Sequence, residues 1–516
     1  MKESLSYPKP LDTIRQQDAI VNADGTEPEW PEADVIVGNP PFLGDKKMLG
    51  AMGEEYVKRL RKLYQGRVPG GADLVTYWFE KSRAQIEAGK VRYAGLVATN
   101  SIRGGANRKV LERICDTGAI FNAWSDEPWI NDGAAVRVSL VAFAGCDHGR
   151  VIFLNGSTKD HVFANLTAAT SCVTSAADAK ALSANQGTAF NGISKKGAFD
   201  VDGSLARMWL TSSGNPNGRS NADVLFPWIN GLDVTRRPSD KWIIHFGESS
   251  EIEASCYASP FQHIVTNVLP ARSASQAEAE RRNWWLLARR SPAMFSSIKA
   301  LPRFMVTPEV SKHRVFTWTS HPVVPDKNLI VVARADDTNF GILHSRLHEI
   351  WALQMGTSLE DRPRYTSSTT FRTFPFPEGL TPADTMDATE TLDSGAVIPI
   401  VAPAYRPQAH AIADAAHRLN ALRENWLNPP EWIEHVPEVV PGYPERIVPK
   451  PEHAAELKKR TLTNLYNARP AWLEHAHQAL DAAVATSYGW DDYSPAMPEA
   501  EILRRLLALN LKRSAK

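Results

Sequence analysis

Residues 34–42 are Asp-Val-Ile-Val-Gly-Asn-Pro-Pro-Phe, and the fold of the first part of the chain depends on this stretch. The apolar run before Asn39 predicts a short buried strand that ends in a turn. Each proline fixes its own φ and restricts the residue before it, so the Asn39 side chain and the Pro40 carbonyl point in set directions. The alternative is a simple proline turn after a strand.

The catalytic candidates are Asn39, Pro40, Pro41 and Phe42. The N6 amine of adenine is a poor nucleophile because its lone pair is delocalised into the ring. Two carbonyl acceptors facing the NH2 group would favour its tetrahedral, more reactive form. An aromatic ring beside them can stack on a base taken out of a duplex.

The segments after this stretch alternate between helix and strand. The sequence predicts a loop over 43–71, helices over 73–82 and 108–115, and strands over 93–100, 120–124 and 136–144. This order is typical of a parallel α/β sheet. Ligands in such sheets bind at the carboxyl ends of strands, which is where Asn39 lies.

Composition indicates a globular protein without a membrane segment. The chain has 516 residues, 43% hydrophobic and 22% charged, with zero formal net charge. This length predicts about three domains. The four cysteines form no Cys-x-x-Cys pair, which argues against a zinc knuckle and a disulfide framework and favours a reducing cytoplasm. No apolar run reaches membrane-spanning length.

Positive charge is concentrated between Thr266 and Phe316, a segment that contains nine Lys and Arg but only three Asp and Glu. A basic stretch with aromatics in a neutral protein is a candidate phosphate-contact surface, and the alternative is a solvated face. Trp284 and Trp285 are more typical of core anchors. His344 and His348 have the spacing of a metal pair, but no third ligand is placed nearby, so we predict a structural role and no metal site.

The first segment resembles the second half of a class I S-adenosylmethionine-dependent DNA adenine-N6 methyltransferase. The resemblance rests on 34–42, the helix opening at Asp73, Gly95–Ser101 and Ala135–Phe143. It implies that Asn39 and the Pro40 carbonyl receive the amine and that Phe42 stacks on the flipped adenine. It also implies that Asp18 and Asn39 contact the cofactor, S-adenosylmethionine.

One part of the methyltransferase pattern is missing. The 38 residues before Asn39 contain no Gly-x-Gly after an apolar strand, and no such turn occurs between Glu378 and Lys516. We therefore expect a truncated Rossmann-like sheet with uncovered apolar edges, and a cofactor half that is lost or supplied by a separate chain.

The rest of the chain is similar to the target-recognition and C-terminal helical domains of MmeI-like type II restriction–modification enzymes. The similarity rests on Arg281–Trp285, Leu301–Phe304, Phe340–His348 and Tyr365–Pro377. It implies an α+β domain that reads duplex DNA in the major groove. The candidate DNA contacts are Arg281, Arg282, Arg303, Lys312, His313 and Arg314.

These resemblances complete the predicted layout. It has a partial methyltransferase domain at 1–158, a recognition domain at 159–377, and a linker with a helical domain at 378–516. Residues 378–408 are predicted as the linker and 429–451 as irregular, while Tyr488 and Trp490 are assigned to packing. The family's nuclease motif is not found before Asn39, so we expect no cleavage. The alternative function is a sequence-specific DNA-binding module without activity of its own.

Overall fold

The computed structural model describes residues 15–131, 134–146, 148–168, 179–212, 214–359 and 362–515. Its contacts divide the chain into two compact units, Met1–Val173 and Thr174–Lys516. The division after Val173 lies near the predicted boundary at 158. No such division falls at the predicted boundary between 377 and 378.

The first unit contains one six-stranded sheet. Its strands are β1 (Val35–Gly38), β2 (Tyr93–Thr99), β3 (Gly118–Asn131), β4 (Ala134–Gly145), β5 (Ile152–Leu154) and β6 (Ser157–Lys159). Its helices are α1 (Asp45–Met52), α2 (Glu54–Leu63), α3 (Thr76–Glu87) and α4 (Gly105–Thr117). The strand order is β1-β2-β4-β3-β5-β6.

The sheet is mixed, which corrects the expectation of a parallel one. β1 pairs with β2 and β3 pairs with β5 in parallel, whereas the remaining neighbours are antiparallel. β3 and β4 follow each other without a crossover helix, and two strands joined so closely pair as an antiparallel hairpin. The other predicted helices and strands of this unit are confirmed, although β3 extends seven residues and α3 five residues beyond their predicted ends.

Helices α1 and α2 correct the loop predicted over 43–71. Met48, Val57 and Leu60 are buried in the core of the unit. These apolar residues are few, and Gly50 and Gly53 interrupt the pattern, so the helical period is weak in the sequence.

Strand β1 lies at the edge of the sheet, which corrects the prediction of a buried strand. It pairs only with β2 among the described strands. The exposed fraction is 47% for Val35 and 82% for Val37. This finding agrees with the expectation of an uncovered apolar edge.

The second unit is α+β. Its strands are β7 (Ala189–Asn191), β8 (Asp200–Asp202), β9 (Leu225–Ile229), β10 (Lys241–Ile244), β11 (Phe304–Pro308), β12 (Thr317–Thr319), β13 (Val324–Pro325), β14 (Leu329–Val332), β15 (Thr357–Leu359), β16 (Arg362–Arg364), β17 (Thr389–Thr391), β18 (Val397–Pro399), β19 (Ile433–Val436) and β20 (Arg446–Pro449). They form two four-stranded sheets, β13-β9-β10-β8 and β12-β11-β14-β7, and three two-stranded ones.

The helices of this unit are mostly short before residue 336 and longer after it. They are α5 (Gly203–Thr211), α6 (Gly231–Thr235), α7 (Glu251–Ser255), α8 (Ala258–Asn267), α9 (Leu269–Ser273), α10 (Glu278–Arg282), α11 (Pro292–Ile298), α12 (Asp337–His344), α13 (Arg346–Met355), α14 (Arg406–Leu427), α15 (Ala454–Leu457), α16 (Leu462–Ala468), α17 (Ala471–Ser487) and α18 (Glu499–Ser514).

One hydrophobic cluster joins the recognition segment to the C-terminal helices. It contains Trp351, Phe374 and Leu480, and Tyr488 and Trp490 pack against it as predicted. The predicted linker over 378–408 is corrected, because it contains the hairpin β17–β18, whose Ala396 and Ile398 are buried. The irregular segment predicted over 429–451 likewise contains the hairpin β19–β20.

Three further observations concern the described residues alone. Cys115, Cys146 and Cys256 are free thiols, while Cys172 lies outside these residues. None of the described helices has the length and apolar character needed to cross a membrane. No group of three metal-ligating side chains is found among them.

Candidate functional site

The Asn39–Phe42 segment begins where β1 ends. β1 and β2 run parallel with Gly38 opposite Leu96, so their carboxyl ends lie side by side at the same end of the strands. Pro40 is buried and anchors the segment, whereas Asn39 and Pro41 are exposed. The Phe42 side chain is 36% exposed. The Asn39 amide makes no hydrogen bond to any described residue, so an amide and part of an aromatic ring face solvent together.

Asp73 holds the chain that follows this segment. Its Oδ1 accepts a hydrogen bond from the Asp45 amide at 3.1 Å. Its Oδ2 accepts from the Ser101 hydroxyl at 2.8 Å and from Asn107 Nδ2 at 2.7 Å. The Leu74 amide donates to the Leu43 carbonyl at 2.9 Å. The carboxylate therefore ties the segment to the end of β2 and to α4.

A second polar network lies just past the end of β2. Asn100 Nδ2 donates to Asp126 Oδ1 at 2.9 Å, and Arg137 Nε donates to the same oxygen at 2.6 Å. Arg103 donates to the Asn165 carbonyl at 3.0 Å, and burial lowers its pKa. These residues and the partners of Asp73 were not predicted from the sequence. Only their position at predicted strand ends and at the start of a predicted helix indicates them there.

Asp18, the predicted cofactor contact, stabilises a turn in the structure. Its Oδ1 accepts from the amides of Ile20 at 2.9 Å and Val21 at 3.0 Å. Its Oδ2 accepts from the Tyr56 hydroxyl at 2.7 Å. Desolvation and this hydrogen bond raise the pKa of Tyr56. A carboxylate has about four acceptor positions, and donors from the described residues occupy three of them on this exposed side chain.

The basic segment of the second unit divides into exposed and internal side chains. Arg281 and Arg282 are exposed on α10, and Arg281 also donates to the Ser275 carbonyl at 2.6 Å. Lys312 is exposed as well, and its Nζ donates to Asn467 Oδ1 at 2.7 Å. His313 Nε2 lies 2.9 Å from the same oxygen.

Arg303 and Arg314 have their guanidinium groups engaged inside the fold. Arg303 stacks on the Trp318 ring at 3.8 Å and forms an ion pair with Asp337 at 3.0 Å. Arg314 donates to Thr307 Oγ1 at 2.9 Å and lies over the Tyr365 ring. Desolvation lowers the pKa of Arg314 to about 10. These contacts give both residues structural roles and lend no support to a DNA contact.

The histidine pair is structural, as predicted. His348 Nδ1 donates to the Leu343 carbonyl at 2.8 Å, and its Nε2 lies 3.1 Å from the Tyr365 hydroxyl. His344 Nε2 accepts from Arg423 at 2.8 Å. Burial lowers the pKa of both imidazoles, to about 3 for His348. Trp284 is buried and Trp285 half-buried in the core of this unit, which agrees with their prediction as anchors.

Two family models match the chain, and together they span more than half of it. The model of the MmeI DNA-methyltransferase domain matches residues 12–154, and that of the MmeI target recognition domain matches residues 217–378. No curated protein matches.

A solved structure gives a similar fold. The structure of the type IIL restriction-modification enzyme MmeI in complex with DNA superposes with a TM-score of 0.66 at 18% identity, over 93% of this chain and 57% of that one. The chain therefore spans little more than half the length of that enzyme. A DrdV–DNA complex gives a TM-score of 0.33 at 11% identity, over 92% of this chain and 57% of the other.

Proposed function

Because the chain belongs to the MmeI-like family of restriction–modification enzymes, we propose that it methylates N6 of a flipped adenine within a specific duplex DNA site, using S-adenosylmethionine. The observation that carries the proposal is the exposed amide of Asn39 at the carboxyl end of β1, which has no hydrogen-bond partner among the described residues, followed three residues later by the partly exposed ring of Phe42.

The chemistry assigned to this chain is the positioning of an amine. Asn39 Oδ1 and the Pro40 carbonyl accept hydrogen bonds from the N6 amine and favour its tetrahedral form. Pro41 restricts the backbone before it, and Phe42 stacks on the base, which must leave the duplex to reach them. When bound, S-adenosylmethionine supplies an electrophilic methyl group. The amine loses its proton after attack, so no protein base needs a tuned pKa for the first step.

The described residues fit the cofactor in part. No described residue bonds to the Asn39 amide, and the three described donors to Asp18 leave one acceptor position for a cofactor donor. Among the described strands β1 pairs only with β2, so its other edge, where Val35 and Val37 are exposed, is the kind of surface that pairs with another chain. We therefore propose that a separate chain supplying the cofactor half adds to this edge.

DNA contact is proposed for the exposed cations of the second unit. Arg281, Arg282 and Lys312 present positive charge to solvent, and His313 lies beside Lys312 on Asn467. Arg303 and Arg314 are left out of this proposal because their donors serve the fold.

The test is methyl transfer to a library of DNA duplexes, read as N6-methyladenine by mass spectrometry of the digested product. We expect the wild-type chain, alone or with its cofactor-half partner, to be active and Asn39→Ala to lose nearly all activity. Asn22→Ala, which changes another exposed asparagine, is the control. Unchanged methylation by Asn39→Ala would show that the proposed role is wrong.

The second candidate is a DNA-binding module without activity of its own, which the exposed Arg281 and Arg282 favour. Calorimetric titration with S-adenosylmethionine separates the two candidates. Micromolar binding supports the enzyme. Sequence-specific DNA retention without cofactor binding, even after addition of the partner chain, supports the module.

A further inference from the structure

A cavity of about 430 Å³ opens beside α9 and α10 in the second unit. Three stretches of chain form its walls. They contain Ser194 and Lys196, the residues from Arg272 to Glu280, and the residues from Asn283 to Arg290. The backbones of Ser194 and Arg289 bond to each other in both directions at 3.0 Å, which holds the first and the third stretch together.

The cavity is lined by Arg272, a cation that is almost completely buried, with 3% of its surface exposed. Its Nε donates to the Lys196 carbonyl at 3.1 Å, and its Nη2 donates to the Lys195 carbonyl at 2.9 Å and the Leu286 carbonyl at 3.4 Å. Its Nη1 has no partner among the described residues. No carboxylate forms an ion pair with this guanidinium within the described chain, and a buried charge without a counterion is costly.

The other charges around the cavity leave it positive. Lys196 pairs with Glu280 at 2.6 Å, and Arg290 pairs with Glu248 at 2.5 Å. Arg289 lines the cavity, is exposed and has no ion pair among the described residues. Glu280 is the one carboxylate among the described lining residues; it pairs with Lys196 and also interacts with the charge of Arg272. The charged groups around the cavity therefore sum to two positive charges.

The backbone at Lys196 has a strained conformation that positions its carbonyl for Arg272. Its φ is +43°, a left-handed value that a residue other than glycine seldom adopts. This conformation aims its carbonyl at Arg272 Nε. Strain of this kind persists where the surrounding structure enforces it, often at binding sites.

We infer that this cavity binds a backbone phosphate of duplex DNA, held by Arg272 and Arg289. The planar guanidinium forks suit the oxygens of a phosphate, and Asn283, whose side chain is a neutral donor, also lines the cavity. The volume exceeds that of one phosphate, which leaves room for the adjoining sugar. Helix α10 lines the cavity and also carries the exposed Arg281 and Arg282, so the strand would continue along positive surface. The inference rests on the proposed binding of DNA by this unit.

The experiment measures the affinity of the chain for duplexes of random sequence over a range of salt concentrations. The logarithm of the binding constant falls with the logarithm of salt with a slope of about −0.9 for each phosphate contact in B-DNA. We expect Arg289→Ala and Arg272→Gln each to weaken binding on every duplex and to make this slope shallower by up to about 0.9. Arg418→Ala, which removes another exposed arginine, should leave the slope unchanged.

Melting temperatures establish that each variant is folded. If Arg272→Gln does not fold, the salt slope of Arg289→Ala alone tests the inference, because Arg289 is exposed. A wild-type slope in Arg289→Ala would overturn the inference, as would an equal change in Arg418→Ala or a wild-type chain that binds no duplex. Random duplexes require no methylation. A normal wild-type slope without methyl transfer to any duplex would therefore contradict the proposed function and leave the phosphate site standing.

Discussion

Asp73 and Asn107 form a reciprocal pair of hydrogen bonds across 34 residues of sequence. The Asp73 amide donates to Asn107 Oδ1 at 2.7 Å, and Asn107 Nδ2 donates to Asp73 Oδ2 at 2.7 Å. Because Asn107 is buried on α4, this pair fixes the carboxylate that holds the chain after Phe42.

Replacement of Asp73 should slow methyl transfer without weakening DNA binding. Asp73→Ala frees the Asp45 amide, so the segment from Asn39 to Phe42 loses its position. Misplacement by about 1 Å can cost a factor of about 10² in rate. Single-turnover methylation and DNA affinity are measured on the same preparation. Asp160→Ala, an exposed aspartate of the same unit, is the control. A wild-type rate for Asp73→Ala would show that Asp73 does not position the site.

The double variant Asp73→Ala/Asn107→Ala should lose little more of the methyl-transfer rate than either single variant, because both changes remove the same contact. Residues that share one hydrogen-bond network give non-additive effects. Rates of the two single variants and the double variant test this coupling. Additive losses would separate the roles of the two residues.

Gly341→Ala should destabilise the second unit, although alanine favours helices. A Cβ at Gly341 would lie 2.7 Å from Ile412 Cγ2 and 3.0 Å from Ala416 Cβ, so α12 and α14 would have to separate. Overpacking of this kind costs about 1–3 kcal/mol. Chemical denaturation measures the change in the free energy of unfolding.

The matched control is Gly50→Ala on α1, where a Cβ meets nothing within 4 Å. There the helix propensity acts alone and should stabilise the protein by up to about 1 kcal/mol. The same sign in both variants would contradict the close approach of α12 and α14.

Asp481 should make stability fall as pH rises from about 4 to about 7. Burial raises the pKa of Asp481 from 3.8 to about 7, against the opposing influence of the Arg346 amide and the Arg469 charge. A carboxyl with a raised pKa favours folding below its unfolded value, and this advantage is lost as pH passes through the folded value. Asp481→Asn removes the titration and keeps an acceptor for the Arg346 amide, which donates at 2.7 Å.

The measurement is the free energy of unfolding of both proteins between pH 4 and 8. The wild type should lose on the order of a few kcal/mol relative to Asp481→Asn, mostly below pH 7. Parallel pH curves would mean that Asp481 titrates normally.

Val37→Lys should reduce association through the β1 edge. A lysine on an edge strand discourages the addition of another strand. Sedimentation velocity over a range of concentrations, with and without the partner chain, measures this effect. Ile252→Lys changes an equally exposed apolar residue on α7 and serves as the control. Equal effects of the two variants would indicate non-specific hydrophobic association.

Local patterns predicted the features that depend on neighbouring residues. Asn39 lies at the end of a strand, and the helical domain predicted within 378–516 contains α14 and α17. The hydrogen bonds of Asp73 and Asn107 depend on contacts between distant segments, which no local pattern reveals. Arg314 lies in a basic segment and was therefore predicted to contact DNA. It lies over Tyr365 because β11 and the following turn bring it there.

The cluster that contains Trp351 and Leu480 also limits how new specificities can be engineered. Transplanting residues 217–378 into a related chain would part Lys312 and His313 from Asn467 and leave half of that cluster behind. The segment that must be exchanged as a unit is therefore longer than residues 217–378. A chimera should carry the helices through Ser514 along with it.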